Sequence, residues 1–365
     1  MNTATSASQV GSSIFRDVTH LDLGCEYRGG QRQVIYLASE QAKAGMKVRI
    51  ASPTGAPILD VAREQGLTVL PLPGQRDFHP QNILSLARAL SPSAILHTHD
   101  ARAASLGALV FLFRRDLSLL HTRRVSYELG HGWSRFKYRL ADMVVCVSRD
   151  VEEVVRRAGV RRTMVIASTI VRARYSPRRS GNGGRLGIIG ALSPQKGHAQ
   201  FFEALALLAD LPEIWVVGAG ALEDDLRNLA ARLGLSDRIV WKGQVESPQV
   251  LPFFDVLVVP SAHGEGSSGV IKEGWASGVP VVCSDLAANL ELVQDETNGL
   301  VFRNGDPSTL ARQLERLRTC PDLGQGLAAA GLSDVGAYDA SEMHAAYLRA
   351  YASLLVKHSP VSSAG

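Results

Sequence analysis

Short apolar runs and helix-like segments alternate along almost the whole chain. The run VTHLDLG at 18–24 has the length of a buried strand, and the segment after it carries apolar residues at helical spacing before closing at Gly45. Five further strand-like runs follow in the same rhythm: VRIAS, LTVLPL, AILHTH, LSLLH and MVVCVS. Because strands that alternate with helices pair in parallel, the pattern predicts a doubly wound α/β fold.

The alternation is interrupted once, at 174–184. The segment RYSPRRSGNGG is rich in Pro, Gly, Ser and Arg, as linkers are, and the strand-helix rhythm restarts after it with LGIIGAL and IWVVGAG. We therefore predict two Rossmann-like domains, each a doubly wound parallel sheet, that face each other across a cleft: an N-terminal one at 1–175 and a C-terminal one at 176–345. The remaining 346–365 would form a C-terminal helix and tail that could pack back on the N-terminal domain.

The composition fits a soluble protein of this size. A length of 365 residues exceeds that of a usual single core, and contents of 45% hydrophobic and 20% charged residues are ordinary. The four cysteines lie far apart without CxxC spacing, which is typical of reduced cytosolic thiols. The polar start of the chain lacks the apolar core of a signal peptide, and no apolar run reaches the roughly 18–20 residues of a membrane span. A cytoplasmic location is expected.

The charge is unevenly distributed. Residues 1–180 contain 26 Lys and Arg against 14 Asp and Glu, whereas the rest of the chain is net acidic. The segment GWSRFKYRLAD at 132–142 also mixes aromatic and basic residues, so the first half could dock peripherally on an anionic inner-leaflet surface. The alternative is solubility charge that happens to be uneven. Nucleic acid is not an expected partner, because no reading motif accompanies the charge.

Three loops have the form of ligand-binding loops, which follow strands and lead into helices in open parallel sheets. In the first, Gly29 and Gly30 open a helix and would let the backbone approach a phosphate or sugar, although the loop is not a GxGxxG nucleotide fingerprint. In the second, GALSPQKG, Lys196 is placed to neutralise phosphate charge. A plain turn and a solvated surface lysine are the respective alternatives.

The third loop, in GEGSSGVIKEGWASGVPVV at 264–282, places Glu265 and Glu273 on either side of small residues. The strand VLVVP precedes it, and the glycines and serines offer bare backbone amides at a helix start. One carboxylate could hold a sugar hydroxyl and the other a ribose hydroxyl, with phosphates on the amides between them. Glutamates on a helix are more often simply solvated. The glycines before this pair and the buried strand after it make the motif a more specific indication of a ligand site.

These motifs resemble those of retaining glycosyltransferases of the family-4 type, which have the GT-B architecture. The resemblance is carried by GALSPQKG, by EGSSGVIKE with its tail GWASGVPVVCSD, and by ELVQDETNGLVFRNGDPSTLA. In the first half of the chain DLGCEYRGGQRQ, ILHTHD and FKYRLADMVVCVSRD agree with it. The similarity covers about residues 18–320.

The resemblance implies transfer of a sugar from a nucleotide-diphosphate donor. Lys196 would contact the diphosphate, Glu265 the transferred sugar and Glu273 the ribose. Backbone amides at the helix start would complete the donor site: Ser268, Gly269 and Val270. The acceptor, a cell-surface glycan or a lipid-linked or lipopolysaccharide-type molecule, would lie against the N-terminal domain.

Two departures from the family pattern concern charge. Ala191 stands where an arginine often precedes the lysine, so another cation would have to help Lys196. In LSLLHTRRV the family often has a histidine after the threonine, whereas here Arg123-Arg124 follows Thr122. Arg124 stays protonated and could clamp a phosphate or the acceptor. His99 and His121 remain candidates for proton handling or sugar contact, although a lone histidine near a strand end is usually structural.

No metal or other cofactor is expected. The sequence HTHD at 97–100 could ligate zinc, but it shows no third ligand, and no DxD motif is present. Two rival interpretations remain open: a nucleotide-sugar epimerase of the same architecture, and a non-catalytic partner subunit that binds nucleotide sugars.

Overall fold

A computed structural model of the chain describes residues 17–74, 79–179 and 183–355, which divide into two units. Unit 1 comprises the described residues up to Ser168 and from Ala340 onward, and unit 2 comprises Thr169–Asp339. The polar start of the chain, the middle of the expected linker and the C-terminal tail lie outside the described residues.

Unit 1 is built on a parallel sheet of seven strands in the order β3-β2-β1-β4-β5-β6-β7. The strands and helices up to β7 are, in chain order, β1 Asp17–Leu21, α1 Gly29–Lys43, β2 Lys47–Pro53, α2 Pro57–Glu64, β3 Thr68–Leu72, α3 Pro80–Ala89, β4 Ile95–Thr98, α4 Ala101–Phe113, β5 Ser118–Arg123, α5 Trp133–Leu140, β6 Met143–Cys146, α6 Arg149–Arg157 and β7 Thr163–Val165. The direction in which successive strands are added reverses between β1 and β4. In doubly wound sheets, ligands bind outside the carboxyl ends of the strands at such a reversal.

Unit 2 repeats the architecture with six parallel strands in the order β10-β9-β8-β11-β12-β13. Its elements are β8 Leu186–Ile189, α7 His198–Leu205, β9 Ile214–Val217, α8 Glu223–Arg232, β10 Ile239–Gly243, α9 Ser247–Val250, β11 Val256–Val259, α10 Gly269–Ala276, β12 Val281–Ser284, α11 Ala287–Leu290, β13 Leu300–Phe302, α12 Pro307–Thr319 and α13 Pro321–Asp334. Here the reversal lies between β8 and β11.

The last helix, α14 at Ala340–Leu355, belongs to unit 1. The observed boundaries, after Ser168 and after Asp339, precede the expected ones at 175 and 345. The difference has a physical cause, since Ile170 and Tyr175 are buried in a core of unit 2. In addition, Ile170 forms a β-bridge with Asp339, so the chain enters and leaves unit 2 side by side.

The apolar run at 106–113 forms most of α4, and this helix packs into the core against the sheet. A Cβ on Gly107 would lie 2.7 Å from Thr98 Cγ2, so the small residue lets α4 approach β4. None of the described helices combines the length and apolar content that crossing a bilayer requires.

Candidate active site

The topology of unit 2 brings two of the predicted loops together. Strands β8 and β11 are hydrogen-bonded neighbours at the reversal of strand order, with Ile188 opposite Val258. Lys196 lies in the loop after β8, and Glu265 lies in the loop after β11. Because parallel strands end at the same edge of the sheet, both side chains reach one place.

Lys196 and Glu265 form an ion pair there. Lys196 Nζ donates to Glu265 Oε1 over 2.6 Å, and Ser261 Oγ donates to the same oxygen over 2.7 Å. The carboxylate side chain is 8% exposed, whereas the lysine keeps 25% of its side-chain surface in solvent. Glu265 is therefore held in place while Lys196 remains accessible to a ligand.

Gly197 lets the two loops approach each other. Its φ of 67° lies in the left-handed region, and a Cβ would collide with the carbonyl oxygen of Pro260. Beside it, Gln195 Nε2 donates to the carbonyl of Gly264 over 3.1 Å and the amide of Ala262 donates to the Gln195 carbonyl over 2.8 Å. The Lys196 and Glu265 loops thus form one connected surface.

The start of α10 faces the second glutamate. Ser268 is the N-cap residue, and its side chain forms no capping hydrogen bond in the described part of the chain. A Cβ placed on Gly269 would lie 3.9 Å from Glu273 Oε1, so this carboxylate lies beside the first turn. Within the described part of the chain the Glu273 carboxylate accepts no hydrogen bond, although the residue is 9% exposed. The arrangement offers amides to an anion and a carboxylate to hydroxyl groups.

Unit 1 brings its predicted residues together in the same way. Gly29 and Gly30 are the first two residues of α1. His99 follows β4, and Arg124 follows β5. Arg124 Nη2 lies 3.3 Å from His99 Nδ1, and a Cβ on Gly30 would lie 3.8 Å from Arg124 Cδ. Within the ranges that the structure describes, no atom lies within 4 Å of a Cβ placed on Gly29. The first turn of α1 and the guanidinium therefore border one open space.

Arg124 is anchored by buried histidines. It can only donate, so His99 Nδ1 accepts; His99 Nε2 then donates to His20 Nδ1 over 2.9 Å, and His20 Nε2 donates to Gln41 Oε1 over 2.7 Å. The chain continues from Gln41 Nε2 to the hydroxyl of Tyr351 on α14 over 3.1 Å. Each hydrogen bond fixes the tautomer of the next ring, so this buried chain of hydrogen bonds holds Arg124 in one orientation.

These histidines are neutral. Burial lowers the pKa of His20 to about 4, and burial together with the neighbouring rings and Arg124 lowers the pKa of His97 and of His99 well below the usual value. His99 is therefore positioned to orient Arg124, and both of its ring nitrogens are already in contacts. A role for His99 in proton transfer stays a prediction.

Sequence reasoning missed the third histidine of the cluster. His20, His97 and His99 offer nitrogen atoms that all lie within 4.8 Å of one another, so HTHD does have a third partner. The signal was the parallel pairing of β1 with β4, which puts His20 opposite His97. His97 contacts Tyr351 and Thr122 over 2.9 and 2.7 Å, so every ring nitrogen of the cluster faces a hydrogen-bond partner, and Arg124 adds a positive charge. This arrangement fits a hydrogen-bond network better than a metal centre.

His121 is a structural residue. Its ring nitrogens lie 2.6 Å from Thr98 Oγ1 and 3.1 Å from the carbonyl oxygen of Lys137, and burial lowers its pKa to about 4. The expectation that it could handle protons or contact sugar is wrong, because it is fully buried and both nitrogens are occupied.

The expected basic face of unit 1 is smaller than the sequence indicates. Lys137 is buried and donates to the carbonyl of Ala101 over 2.5 Å. Arg156 and Arg157 are paired with Glu152 and Glu128, at 3.0 and 2.9 Å. The two arginines at 172 and 174 belong to unit 2.

Two family models match the chain, one on each unit. The model described as Glycosyltransferase Family 4 matches residues 27–171, and the model described as Glycosyl transferases group 1 matches residues 183–319. Together they contain the loops of both candidate sites.

The chain is a glycosyltransferase of the family-4 type.

A relative of this glycosyltransferase covers nearly the full length of both chains. The lipopolysaccharide core biosynthesis glycosyltransferase LpsE of Rhizobium meliloti is 28% identical over 350 residues, which are 92% of this chain and 99% of the relative. LpsD of the same organism, with the same descriptive name, is 28% identical over 202 residues, or 53% of this chain and 58% of the relative.

Solved structures show that the glycosyltransferase has the GT-B fold. The structure of Anabaena Alr3699/HepE in complex with UDP has a TM-score of 0.83 at 19% identity, covering 92% of this chain and 100% of that one. A structure of the same Anabaena protein in complex with UDP-glucose has a TM-score of 0.80 at 19% identity, covering 93% and 99%.

Proposed function

We propose that the enzyme is a retaining glycosyltransferase that moves a sugar from a nucleotide-diphosphate donor to a cell-surface glycan or lipopolysaccharide-type acceptor. The observation that carries the proposal is the pairing of Lys196 with a buried Glu265 beside the uncapped start of α10. The UDP and UDP-glucose bound by the Anabaena protein support the donor class. The names of the Rhizobium relatives support the acceptor class.

Unit 2 would bind the donor. Lys196 would turn from Glu265 toward the diphosphate, and the amides of Ser268, Gly269 and Val270 would bind its oxygens. The freed Glu265 carboxylate, still held by Ser261, would accept hydroxyl groups of the sugar, and Glu273 those of the ribose. Exchange of one anionic partner of Lys196 for another keeps its charge compensated throughout.

The transfer step would occur on one face of the sugar. The bond from the anomeric carbon to the diphosphate oxygen breaks with its electron pair on that oxygen. The acceptor hydroxyl oxygen bonds to the same carbon, and its proton passes to the departing phosphate oxygen. Lys196 and the α10 amides would stabilise the charge that develops on the diphosphate.

Unit 1 would bind the acceptor. Arg124 makes one hydrogen bond and no ion pair among the described residues, and its Nε is buried without a partner. Burial lowers the pKa of Arg124, and an anionic or hydroxyl-rich ligand would compensate the charge. The acceptor would lie against Gly29, Gly30 and Arg124, with His99 holding the guanidinium.

The test is transfer by the purified protein. Nucleotide sugars are incubated with a cell-envelope glycan fraction, and the product is examined by NMR for its anomeric configuration. We expect a retained configuration, and a loss of about a hundredfold or more in rate for Glu265→Ala, with Glu223→Ala on α8 as the exposed control. Inversion would contradict the mechanism, and nucleotide-sugar binding without turnover would favour a partner subunit.

We also propose that no metal takes part, since Lys196 and backbone amides would neutralise the diphosphate. The rate with EDTA should then equal the rate without it. Abolition of transfer by EDTA, with recovery on adding a divalent cation, would refute metal independence.

A cytoplasmic enzyme at the inner face of the plasma membrane would reach a lipid-linked acceptor. Trp133 and Phe136 are exposed with ring centroids 5.5 Å apart, and Arg139 is exposed on the same helix. Flotation with anionic and neutral vesicles tests the idea, and equal recovery from both would remove it.

A further inference from the structure

A buried lysine lies behind the donor loop. Lys272 directly precedes Glu273 on α10, and its side chain is among the largest fully buried ones of the protein. Its Nζ donates to Ser267 Oγ over 2.6 Å and lies 4.9 Å from the centroid of the Tyr338 ring. Ser267 belongs to the stretch between Glu265 and the start of α10, so the lysine spans from the helix back to that stretch.

The surroundings of Lys272 are acidic. The carboxylates of Glu273 on the same helix, of Glu265 in the loop and of Glu291 after α11 all favour its charged form. Tyr338, whose ring faces Lys272 Nζ from the turn after α13, is also titratable. It stays protonated because burial raises its pKa. Burial opposes these carboxylates and lowers the pKa of Lys272 to about 7.

We propose that Lys272 is a positioning residue of the donor site, whose buried ammonium holds Ser267 in place and supplies the second positive charge that Ala191 does not provide. The inference rests on the proposed function, because the held stretch is the one that would bind the donor. A charge-assisted hydrogen bond from a buried group restricts the loop before the ligand arrives, so less ordering is lost on binding.

The charge of Lys272 acts on the two glutamates of the site as well. With the ammonium present, Lys196 can leave Glu265 for a diphosphate while the carboxylates still face a nearby cation. Without it, release of Lys196 leaves two low-exposure carboxylates beside the incoming anion. Lys272 therefore favours diphosphate binding without having to touch the ligand.

The proposal predicts a pH-dependent donor affinity. Below pH 7 the ammonium form predominates, and above pH 7 the amine form does, so the contribution of Lys272 is largest in mild acid and fades in mild base. Ionisation of the ligand itself is the same for all variants and cancels in the ratio of their dissociation constants.

The experiment is calorimetric titration of the full chain with UDP, GDP, ADP, CDP and dTDP at pH 6.0 and 8.5. For the nucleotide that the wild-type protein binds, we expect Lys272→Met to bind about tenfold more weakly at pH 6.0 and nearly as well as wild type at pH 8.5. Lys43→Met removes an exposed lysine from unit 1 and should bind as wild type at both values.

The outcomes separate the two proposals. Wild-type protein that binds none of the nucleotides overturns the proposed function. Wild-type binding with an equal affinity for Lys272→Met at pH 6.0 overturns the role of Lys272 alone. Melting temperatures show whether the variant is folded, and they are expected to fall, because the neighbouring carboxylates lose a buried cationic partner.

If Lys272→Met does not fold, Ser267→Ala decides the question. It removes one hydrogen-bond partner of Nζ while keeping the lysine, and it should weaken nucleotide binding at pH 6.0 several-fold. Where both variants fold, the double variant should bind no more weakly than Lys272→Met, because the two side chains act through one contact. Unchanged binding in Ser267→Ala would contradict the positioning role.

Discussion

Single residues decide whether the donor loops of unit 2 can meet. Gly197 and Gly234 both have φ near 70°. A Cβ on Gly197 would collide with a backbone carbonyl, whereas one on Gly234 would meet no atom of the described residues within 4 Å. The pair therefore separates the cost of the backbone conformation from the cost of loop contact.

We predict that Gly234→Ala lowers the free energy of unfolding by about 1 kcal/mol, the cost of a left-handed alanine. Gly197→Ala should lower it by at least about 2 kcal/mol more and weaken nucleotide binding, because the Lys196 loop must shift. Urea unfolding measures both changes. Equal destabilisation by the two variants would show that the loops are not in close contact.

Some residues of the two sites could be predicted from the sequence, and others could not. Lys196 and Glu265 were predicted because their loops follow predicted strands, and Glu273 was predicted because it lies on the helix after the second of these loops. Lys272 stands next to Glu273 in the same motif, and nothing in its spacing distinguishes a buried lysine from a solvated one. His20 required knowledge that β1 pairs with β4.

At the level of elements, the alternation of strands and helices predicted nearly every strand of both sheets, because buried parallel strands are continuous apolar runs. β7 was missed, since it has three residues, is half-buried or exposed throughout and lies at the sheet edge. The attachment of α14 to unit 1 depends on contacts across more than two hundred residues of sequence, which local patterns do not contain.

Tyr351 links α14 to the rest of unit 1 through two polar contacts. Its hydroxyl contacts both Gln41 and His97, and the residue is fully buried. Tyr351→Phe removes the hydrogen-bond partner of Gln41 Nε2 and of His97 Nδ1, both of which are buried. We therefore predict a loss of about 1–3 kcal/mol in the free energy of unfolding.

The control for this prediction is Tyr127→Phe, since Tyr127 is 54% exposed and its loss should stay within about 0.5 kcal/mol. Urea midpoints compare the two variants. If Tyr351→Phe is as mild as Tyr127→Phe, the hydroxyl network does not stabilise the helix.

For the whole molecule, the buried histidines predict acid sensitivity that differs between the units. Unit 1 contains His20, His97, His99 and His121, all with lowered pKa, whereas His198 is the buried histidine of unit 2, with a pKa lowered to about 4. In the unfolded chain a histidine has a pKa of about 6.5 and binds a proton below that pH. In the native protein burial lowers the pKa of these histidines, so their rings stay neutral at pH values where the unfolded chain is already protonated.

The free energy of unfolding should therefore fall as the pH drops from about 6.5 toward 4, by up to about 3 kcal/mol for a ring shifted to pKa 4. We predict that amide-exchange protection factors decrease more in unit 1 than in unit 2 between pH 7.5 and pH 5.0. An equal decrease in the two units would contradict the assignment of neutral, buried histidines to unit 1.

The proposed donor site binds the diphosphate of an activated sugar through Lys196 and the start of α10. Its most direct test is the dissociation constant of a nucleoside diphosphate for wild type and for Lys196→Met, with Lys43→Met as the control. We expect wild type to bind at least one nucleotide, and Lys196→Met alone to bind it about tenfold or more weakly. Unchanged affinity in Lys196→Met, with the same nucleotide bound by wild type, would contradict it.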